Sequence, residues 1–530
     1  MHPTVTSATQ VQAQRASISR ISKTHRLAVL LTLAGLALRL IGLGSHSFWF
    51  DEAREILRAL RPWPEVLFLS EGTDPPIFRL LIAPIAALTL SEFWLRLPTA
   101  LFGAGAIYLA YGWLSEIGQP RLGLITAALL ALAPVEIYYS QEVSQYSMSV
   151  FLSLLLLITF GRAARDGGWL DWLTLSLAGL AALYSYYGLA WLLPALDLDL
   201  AWRTWRQRSR KRLMGFMAFH AVLATGILLL YCTILSVQHQ RFIQRKLTPR
   251  FAGQGLLHSL HTLHKELFEN FLRFFTLPWS SDAADAIVAL LAGLAVLGGI
   301  VLWRRMPASR RLLLISLLTL IIIYVANGLG LYPFGLRYAL PLSPFLFLSI
   351  AGAIWCPPIR ADLRRPVAIA IGSLVTLAFL AFSPNVRLIP NPWLALPREE
   401  LRPVVQYVYK EARPEDFIYV YYGAGPAYRV YRQAYGPEEP HPTAWGEWFR
   451  AWPTEQKVDS IREAVGDNRR FWLVMSHIHA GEDQELIRGL AQTTPTGSHR
   501  LSPGEPVEPP YHVIDEFRAQ NAAALLLRRD

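Results

Sequence analysis

Apolar residues in this chain fall in long blocks separated by short polar turns, with little of the alternation that marks half-buried strands. The blocks measure roughly 16 to 22 residues, the length a helix needs to cross a bilayer. The first runs from about Leu27 to Leu43. Others follow over Leu97–Ser115, Leu122–Tyr139, Tyr146–Phe160, Trp169–Tyr186, Gly188–Trp202, Leu213–Val237, Ala284–Trp303, Leu312–Leu331, Ala339–Trp355 and Val367–Phe382. This pattern predicts a mostly α, polytopic helical bundle of about eleven spans. Ile77–Leu90 is apolar but short and crowded by Pro75, Pro76 and Pro84, so it reads as an interfacial helix within a first outer loop of residues 45–96. Leucines at 256, 260, 263 and 267 with Phe271 predict a second amphipathic helix within 238–282.

Treating Ile77–Leu90 as interfacial fixes the topology. Arg162 and Arg165, the cluster Arg203–Arg212, Arg304–Arg311 and Arg360–Arg365 then all fall on one face, which the positive-inside rule makes cytoplasmic. Residues 1–25 form a polar cytoplasmic tail, and residues 26–383 form the membrane domain. The pattern changes after residue 383: Phe417–Tyr422, Phe471–Met475 and Ala522–Leu527 read as strands, with helices over Arg398–Glu411 and Glu482–Leu490. Residues 384–530 are therefore expected to form a small soluble α/β domain outside the membrane.

Composition agrees with this reading: 53% of the 530 residues are hydrophobic and 17% are charged. The net charge of +11 resides mostly in the short loops, so it follows from topology and does not indicate nucleic acid. The two cysteines, Cys232 and Cys356, offer no disulfide framework or metal site. Gly423-Ala-Gly425 lacks dinucleotide-loop spacing, and His477 and His479 have no acidic or cysteine ligands nearby in sequence, so they read as surface histidines.

Candidate chemistry gathers at the outer face. Asp51 and Glu52 come directly after the first span, with Arg54, and Asp74-Pro75-Pro76, Arg79 and Arg96 follow in the same loop. Tyr138-Tyr139-Ser-Gln141-Glu142 with Tyr146, then Tyr184-Ser-Tyr-Tyr-Gly188, then Pro333-Phe-Gly-Leu-Arg337-Tyr338 occupy later outer turns. Carboxylates, arginines and tyrosines at several helix ends suit a substrate with a lipid tail in the bilayer and an anionic head at its surface. Arg39, near the end of the first span, is expected to snorkel to the interface or to face the acids or an anionic ligand.

Asp51-Glu52, Pro75-Pro76, Arg96-Leu97-Pro98, Tyr139-Ser-Gln-Glu142 and Arg337-Tyr338, in this order, resemble bacterial members of the protein O-mannosyltransferase family, glycosyltransferase family 39. That family is related to the lipid A aminoarabinose transferases and has the GT-C fold. The resemblance covers residues 26–383 and implies transfer of a mannose-like hexose or a pentose from a polyprenyl-phosphate carrier to an acceptor hydroxyl on a protein, lipid or glycan. It implies a multi-pass protein of the cell inner membrane, with the lipid-linked sugar as co-substrate and no motif that demands a metal. Asp51 matches the family's acidic motif as the base. Adjacent helical residues point in different directions, so Glu52 is assigned a supporting or acceptor-binding role. Glu142, Gln141, Tyr139, Asp74 and Tyr338 are expected to bind donor or acceptor, and Arg337, with Tyr338 and helped by Arg79, Arg96 or the cluster Arg241, Arg245, Lys246 and Arg250, the phosphate.

Two positions depart from the family's pattern. Asp74 stands where many members have His or Lys before the two prolines, and Ser140-Gln-Glu-Val-Ser144 lacks the arginine of Ser-Gln-Glu-Ala-Arg. A transporter is the other polytopic class considered, but it would place charges within spans and show inverted repeats. A catalytically silent scaffold of the same fold would tolerate loss of the acidic pair.

Overall fold

A computed structural model describes residues 5–68, 74–236, 238, 285–329, 331–332, 335–357, 359–382, 399–435, 441–447, 452–478, 481–492, 494–495, 507–508 and 510–529. The expected amphipathic helix at 256–271, the cations Arg241, Arg245, Lys246 and Arg250, Pro333-Phe334 and His479 lie outside the described residues. The chain divides into two compact units. One comprises Met1–Leu43, Pro62–Leu81 and Arg96–Ala395; the other comprises Gly44–Arg61, Ile82–Leu95 and Leu396–Asp530. Two stretches of the first outer loop thus group with the C-terminal sequence.

The first unit is helical. Its elements begin with α1 (Val5–Leu40), which starts well inside the polar N-terminal tail and not at Leu27. After α2 (Phe50–Ala59) of the other unit come α3 (Trp63–Phe68), α4 (Ile77–Leu88), α5 (Glu92–Glu116), α6 (Pro120–Leu132), α7 (Pro134–Ser140), α8 (Tyr146–Arg165), α9 (Trp169–Ser185), α10 (Leu192–Gln207) and α11 (Arg210–Leu230), of which α4 from Ile82 and α5 as far as Leu95 group with the other unit. The remaining helices of the unit are α12 (Asp285–Arg305), α13 (Pro307–Gly328), α14 (Leu336–Ala339), α15 (Ser343–Trp355) and α16 (Arg364–Phe382).

Among the described residues, seven helices are long and apolar enough to cross a membrane, or eight if α6 and α7 form one span. The other predicted spans are helices that fall short of this. α9 has 17 residues and α10 has 16, with Asp197 and Asp199 inside it. In α1 the apolar part is only Leu27–Leu40 and carries Arg39.

Two local features organise the bundle. The predicted span Leu122–Tyr139 is bent by 60° between α6 and α7. Ala133, which precedes Pro134, is extended (ψ 124°), because the proline ring disfavours helical geometry in the residue before it. In addition, α12 and α15 cross at two glycines: a Cβ at Gly298 would stand 1.8 Å from the Ser349 carbonyl oxygen, and one at Gly352 2.8 Å from the Gly298 carbonyl oxygen. Small residues at such crossings let helix backbones approach closely where no hydrophobic effect drives association.

The second unit contains a five-stranded sheet of order β2-β1-β3-β7-β6, formed by β1 (Phe417–Val420), β2 (Thr443–Trp445), β3 (Arg470–Ser476), β6 (Tyr511–Ala519) and β7 (Ala522–Arg529). β1 pairs parallel with β2 and β3, while β7 runs antiparallel between β3 and β6. Short β4 (Thr494–Pro495) and β5 (Val507–Glu508) pair separately. The helices are α17 (Leu401–Glu411), α18 (Gly425–Arg432), α19 (Thr454–Val465) and α20 (Glu482–Leu490). The parallel strands are apolar on both faces, as strands covered by helices must be; Phe471 to Met475 are all fully buried. Gly423 is explained by packing, since a Cβ there would lie 2.4 Å from the Ser476 carbonyl oxygen. A buried ion pair joins Lys457 of α19 to Glu482 of α20, and the Tyr421 hydroxyl donates to the same carboxylate. Burial and this hydrogen bond push the Tyr421 hydroxyl well above its ordinary pKa.

Candidate functional site

In the first unit the ends of α4, α8, α9 and α13 bring polar and aromatic side chains together. Asp74, just before α4, accepts a hydrogen bond from the Gln145 amide at 2.7 Å, while the Arg79 guanidinium donates to the Asp74 carbonyl. The Gln238 amide reaches the same carbonyl at 3.4 Å and its oxygen accepts from the Tyr187 hydroxyl at 2.8 Å. Tyrosine rings continue the cluster: Tyr139 lies 5.1 Å from both Tyr138 and Tyr146, Tyr146 6.0 Å from Tyr186, and Tyr332 5.7 Å from Tyr338. The Tyr332 hydroxyl donates to that of Tyr186 at 3.2 Å, and the Arg337 guanidinium lies 5.5 Å from the Tyr338 ring centre. The charges of Glu142 and Arg337 act on both Tyr139 and Tyr146, and that of Asp74 on Tyr146, Tyr187 and Tyr332. Six predicted site residues, Asp74, Arg79, Tyr139, Glu142, Arg337 and Tyr338, therefore belong to one constellation. It offers carboxylates and hydroxyls for sugar hydroxyl groups and guanidinium donors for phosphate oxygens.

Beside it, Ile77 of α4, Leu180 and Tyr184 of α9, and Val222, Thr225 and Leu229 of α11 line an open, largely apolar groove of about 650 Å³. Ile77 opens α4 three residues after Asp74, and Tyr184 lies at the end of α9 three residues before Tyr187, so the groove is walled by the same helix ends that carry the polar cluster.

The remaining predicted residues of this unit have framework contacts. Gln141 donates its amide to the carbonyls of Arg39 and Ile41, at 3.1 and 2.8 Å, closing the C-terminal end of α1. Arg96, buried, donates to the Leu43 carbonyl at 3.0 Å. Both expectations for Arg39 are corrected. It is fully buried, and its guanidinium donates to the carbonyls of Leu130 (3.0 Å), Ala131 (3.2 Å) and Gly35 (3.0 Å) and to the Ser140 hydroxyl (3.0 Å). The α6–α7 break explains this. Pro134 has no N–H for the Leu130 carbonyl, and the bend takes Val135 out of line with Ala131, so an arginine from another helix supplies the donors.

Asp51 and Glu52 lie in the second unit, in the first turn of α2, where carboxylates complement the helix dipole. Glu52 is buried and its carboxylate accepts the Trp49 N–H at 3.3 Å; Asp51 is half-buried. The two adjacent acids thus do differ in environment. The N–H groups around them find side-chain acceptors: Ser47 N–H on Glu400 (3.1 Å), Phe48 N–H on the Tyr431 hydroxyl (2.5 Å) and Phe50 N–H on Glu399 (3.1 Å). Glu400 also meets His46 at 2.7 Å and the Ser47 hydroxyl at 2.9 Å. Burial alone would raise the Glu400 carboxyl, but these hydrogen bonds more than offset it and hold it down at about 2. Glu92 accepts from Arg402 (2.8 Å) and Tyr431 (3.0 Å). His477 is a correction: it is not a plain surface histidine, because Glu399 lies 2.5 Å from its Nδ1.

In the sequence Tyr146, Tyr184, Tyr186 and Tyr187 stand only as outer-turn residues, and nothing there singles out Gln145, Gln238 or Tyr332. Nor does any local signal identify Glu399, Glu400 and Tyr431. Among the described residues, no group of three or more His, Cys, Asp or Glu side chains is arranged to hold a metal ion.

Residues 73–239 match the family model described as dolichyl-phosphate-mannose-protein mannosyltransferase. No curated protein matches the chain. Among solved structures, ArnT from Cupriavidus metallidurans bound to undecaprenyl phosphate is similar over 94% of this chain and 97% of its own, with 15% identity and a TM-score of 0.56. Archaeal oligosaccharyltransferase AglB from Archaeoglobus fulgidus, in complex with an inhibitory peptide and a dolichol-phosphate, is similar over 88% of this chain and 71% of its own, at 10% identity and a TM-score of 0.52. The S. cerevisiae protein O-mannosyltransferase Pmt1-Pmt2 complex bound to the sugar donor covers 73% of this chain and 92% of its own, at 12% identity and a TM-score of 0.50. The chain has a GT-C-like fold, and the family resemblance read from its motifs is borne out.

Proposed function

We propose that this chain is a membrane glycosyltransferase that moves a hexose or pentose from a polyprenyl-phosphate carrier to an acceptor hydroxyl at the outer face of the cell inner membrane. The observation that carries this reading is the cluster of Arg337, Arg79, Asp74, Glu142 and tyrosines beside an apolar groove. It combines groups for a phosphate and a sugar with a surface for an isoprenoid tail. Support comes from the solved structures named above, two of which hold a polyprenyl phosphate or dolichol-phosphate.

In the proposed reaction the acceptor oxygen attacks the anomeric carbon, the carbon–oxygen bond to phosphate breaks, and the phosphate leaves with the electron pair. Asp51 takes the acceptor's proton. Arg337, assisted by Tyr338, Arg79 and Arg96, stabilises the charge gathering on the departing phosphate. Glu142, Gln141, Tyr139 and Asp74 orient the sugar or the acceptor. The residues missing from the family's pattern fit this scheme, since Asp74 is engaged with Gln145 and Arg79 provides the nearby cation.

The test uses purified protein in lipid with radiolabelled polyprenyl-phosphate hexoses and pentoses and a panel of peptide, lipid and glycan acceptors. Free polyprenyl phosphate accumulating together with glycosylated acceptor supports the reading. Absence of donor binding across the panel refutes it.

A further inference from the structure

We propose that Glu399 is a positioning residue that sets the start of helix α2 and thereby the placement of Asp51; this rests on the reading of Asp51 as the base. The sequence Ser47-Phe-Trp-Phe50 enters α2 with an N-cap, Trp49, that makes no side-chain cap bond. Tryptophan carries a donor and no acceptor, so it cannot satisfy the N–H groups that every helix start leaves open. The Trp49 and Phe50 N–H groups of that start, and those of Ser47 and Phe48 just before it, are met from elsewhere. Four consecutive main-chain N–H groups, residues 47 to 50, bind side chains: Glu400, the Tyr431 hydroxyl, Glu52 and Glu399. Three of these four acceptors come from more than 340 positions later in the chain.

Of the three distant acceptors, Glu399 binds at the position nearest the acid, the N–H of the residue directly before Asp51. Its carboxylate is itself held in place. One oxygen meets His477 Nδ1 at 2.5 Å; the other takes the Phe50 N–H at 3.1 Å and the Ser476 hydroxyl at 3.3 Å. His477 adopts φ +57°, a conformation rare for residues other than glycine, and its ring lies 5.5 Å from that of Phe50. Backbone strain of this kind persists where surrounding contacts over-determine it. The result is a buried carboxylate at the end of β3, fixed on one side by an imidazole and on the other holding the first turn of α2. A C-terminal sequence that looks like an appended domain thus supplies part of the frame for the acidic motif.

The experiment uses the full chain in lipid nanodiscs and compares wild type, Glu399→Ala, Glu399→Gln, His477→Ala and Asp51→Asn. Amide hydrogen exchange over residues 50–52 is read beside kcat and KM, measured with the radiolabelled polyprenyl-phosphate sugar that the wild type turns over. Glu399→Ala is expected to speed exchange at 50–52 by at least ~10-fold, the loss of one charge-assisted hydrogen bond, with β1 and β3 unchanged. Its kcat falls on the order of 10- to 100-fold, with donor KM within about twofold, because a small misplacement of a reacting group costs rate before it costs binding. Glu399→Gln keeps an acceptor oxygen and restores most of both. Should Glu399→Ala fail to fold, His477→Ala leaves the carboxylate but frees its second oxygen, and it carries the same readouts with a smaller effect. Unchanged exchange at 50–52 in Glu399→Ala overturns the proposal whatever the activity. Faster exchange with undiminished kcat, while Asp51→Asn is inactive, also overturns it. An active Asp51→Asn instead overturns the reading of Asp51 as the base, and exchange then still decides whether Glu399 holds α2.

Discussion

Replacing Arg39 with methionine, which keeps most of the side-chain volume and removes all its donors, tests whether a buried cation holds the α6–α7 break. Four hydrogen bonds are lost, two of them to the carbonyls of Leu130 and Ala131. A buried polar group left without a partner costs about 1–3 kcal/mol, so these two carbonyls alone contribute about 2–6 kcal/mol. The Ser140 hydroxyl also loses the Arg39 donor, although it still donates to the Glu136 carbonyl. Overlap between these effects and relaxation of the bend bring the expected loss to about 3–5 kcal/mol. The assay is unfolding of the purified protein by denaturing detergent, followed by circular dichroism, for wild type, Arg39→Met and Arg39→Lys. Lysine supplies three donors but lacks the planar fork, so it should recover only part of the loss. A change below about 0.5 kcal/mol in Arg39→Met would refute the clamp, because an exposed arginine behaves that way.

Other expectations concern binding, packing and pH. Arg337→Ala should weaken binding of polyprenyl phosphate by roughly 10- to 100-fold, the value of a charge-assisted hydrogen bond, as read by tryptophan quenching or calorimetry; unchanged affinity would remove Arg337 from the phosphate site. Gly298→Ala should destabilise by about 1–3 kcal/mol, because its Cβ meets the Ser349 carbonyl and the two helices must separate; a melting temperature equal to wild type would contradict that crossing. The Glu400 carboxyl, lowered from 4.5 to about 2, contributes stability that is fully present above about pH 4.5 and is lost as pH falls towards 2. For this partly exposed pair, solvent screening reduces that contribution to about 1–2 kcal/mol. The protection factor of the Ser47 amide, its exchange corrected for the intrinsic pH dependence, should therefore fall as pH drops across that window in wild type and show no such step in Glu400→Gln.

How much of this was legible in the sequence depends on the range of each interaction. Apolar block length alone located the helices from α5 to α16 other than the four-residue α14, with α6 and α7 read as one span, because lipid requires every backbone group to be satisfied within the segment. The α6–α7 break was signalled by Pro134, but the consequence for Arg39 was not: its acceptors are main-chain carbonyls, which carry no residue-type signal. Within the polar cluster, Asp74, Arg79, Tyr139, Glu142, Arg337 and Tyr338 stood out as polar residues at span ends. Tyr332 and Gln145 did not, since their roles arise from contacts such as Tyr332 with Tyr186, 146 positions apart. β2, with three residues, is too short for a periodic signal, and the partly exposed β6 mixes polar and apolar residues on both faces. The pairing of Glu399 and Glu400 with residues 46–50 joins positions some 350 apart, beyond what any local pattern encodes.

Release of free polyprenyl phosphate from radiolabelled polyprenyl-phosphate sugars in the presence of acceptor, compared between wild type, Asp51→Asn and Arg337→Ala at equal, verified membrane insertion, decides whether this chain is a glycosyltransferase. Wild type is expected to release it, with a loss of at least ~100-fold in each variant. Release that persists undiminished in Asp51→Asn and Arg337→Ala would contradict that expectation.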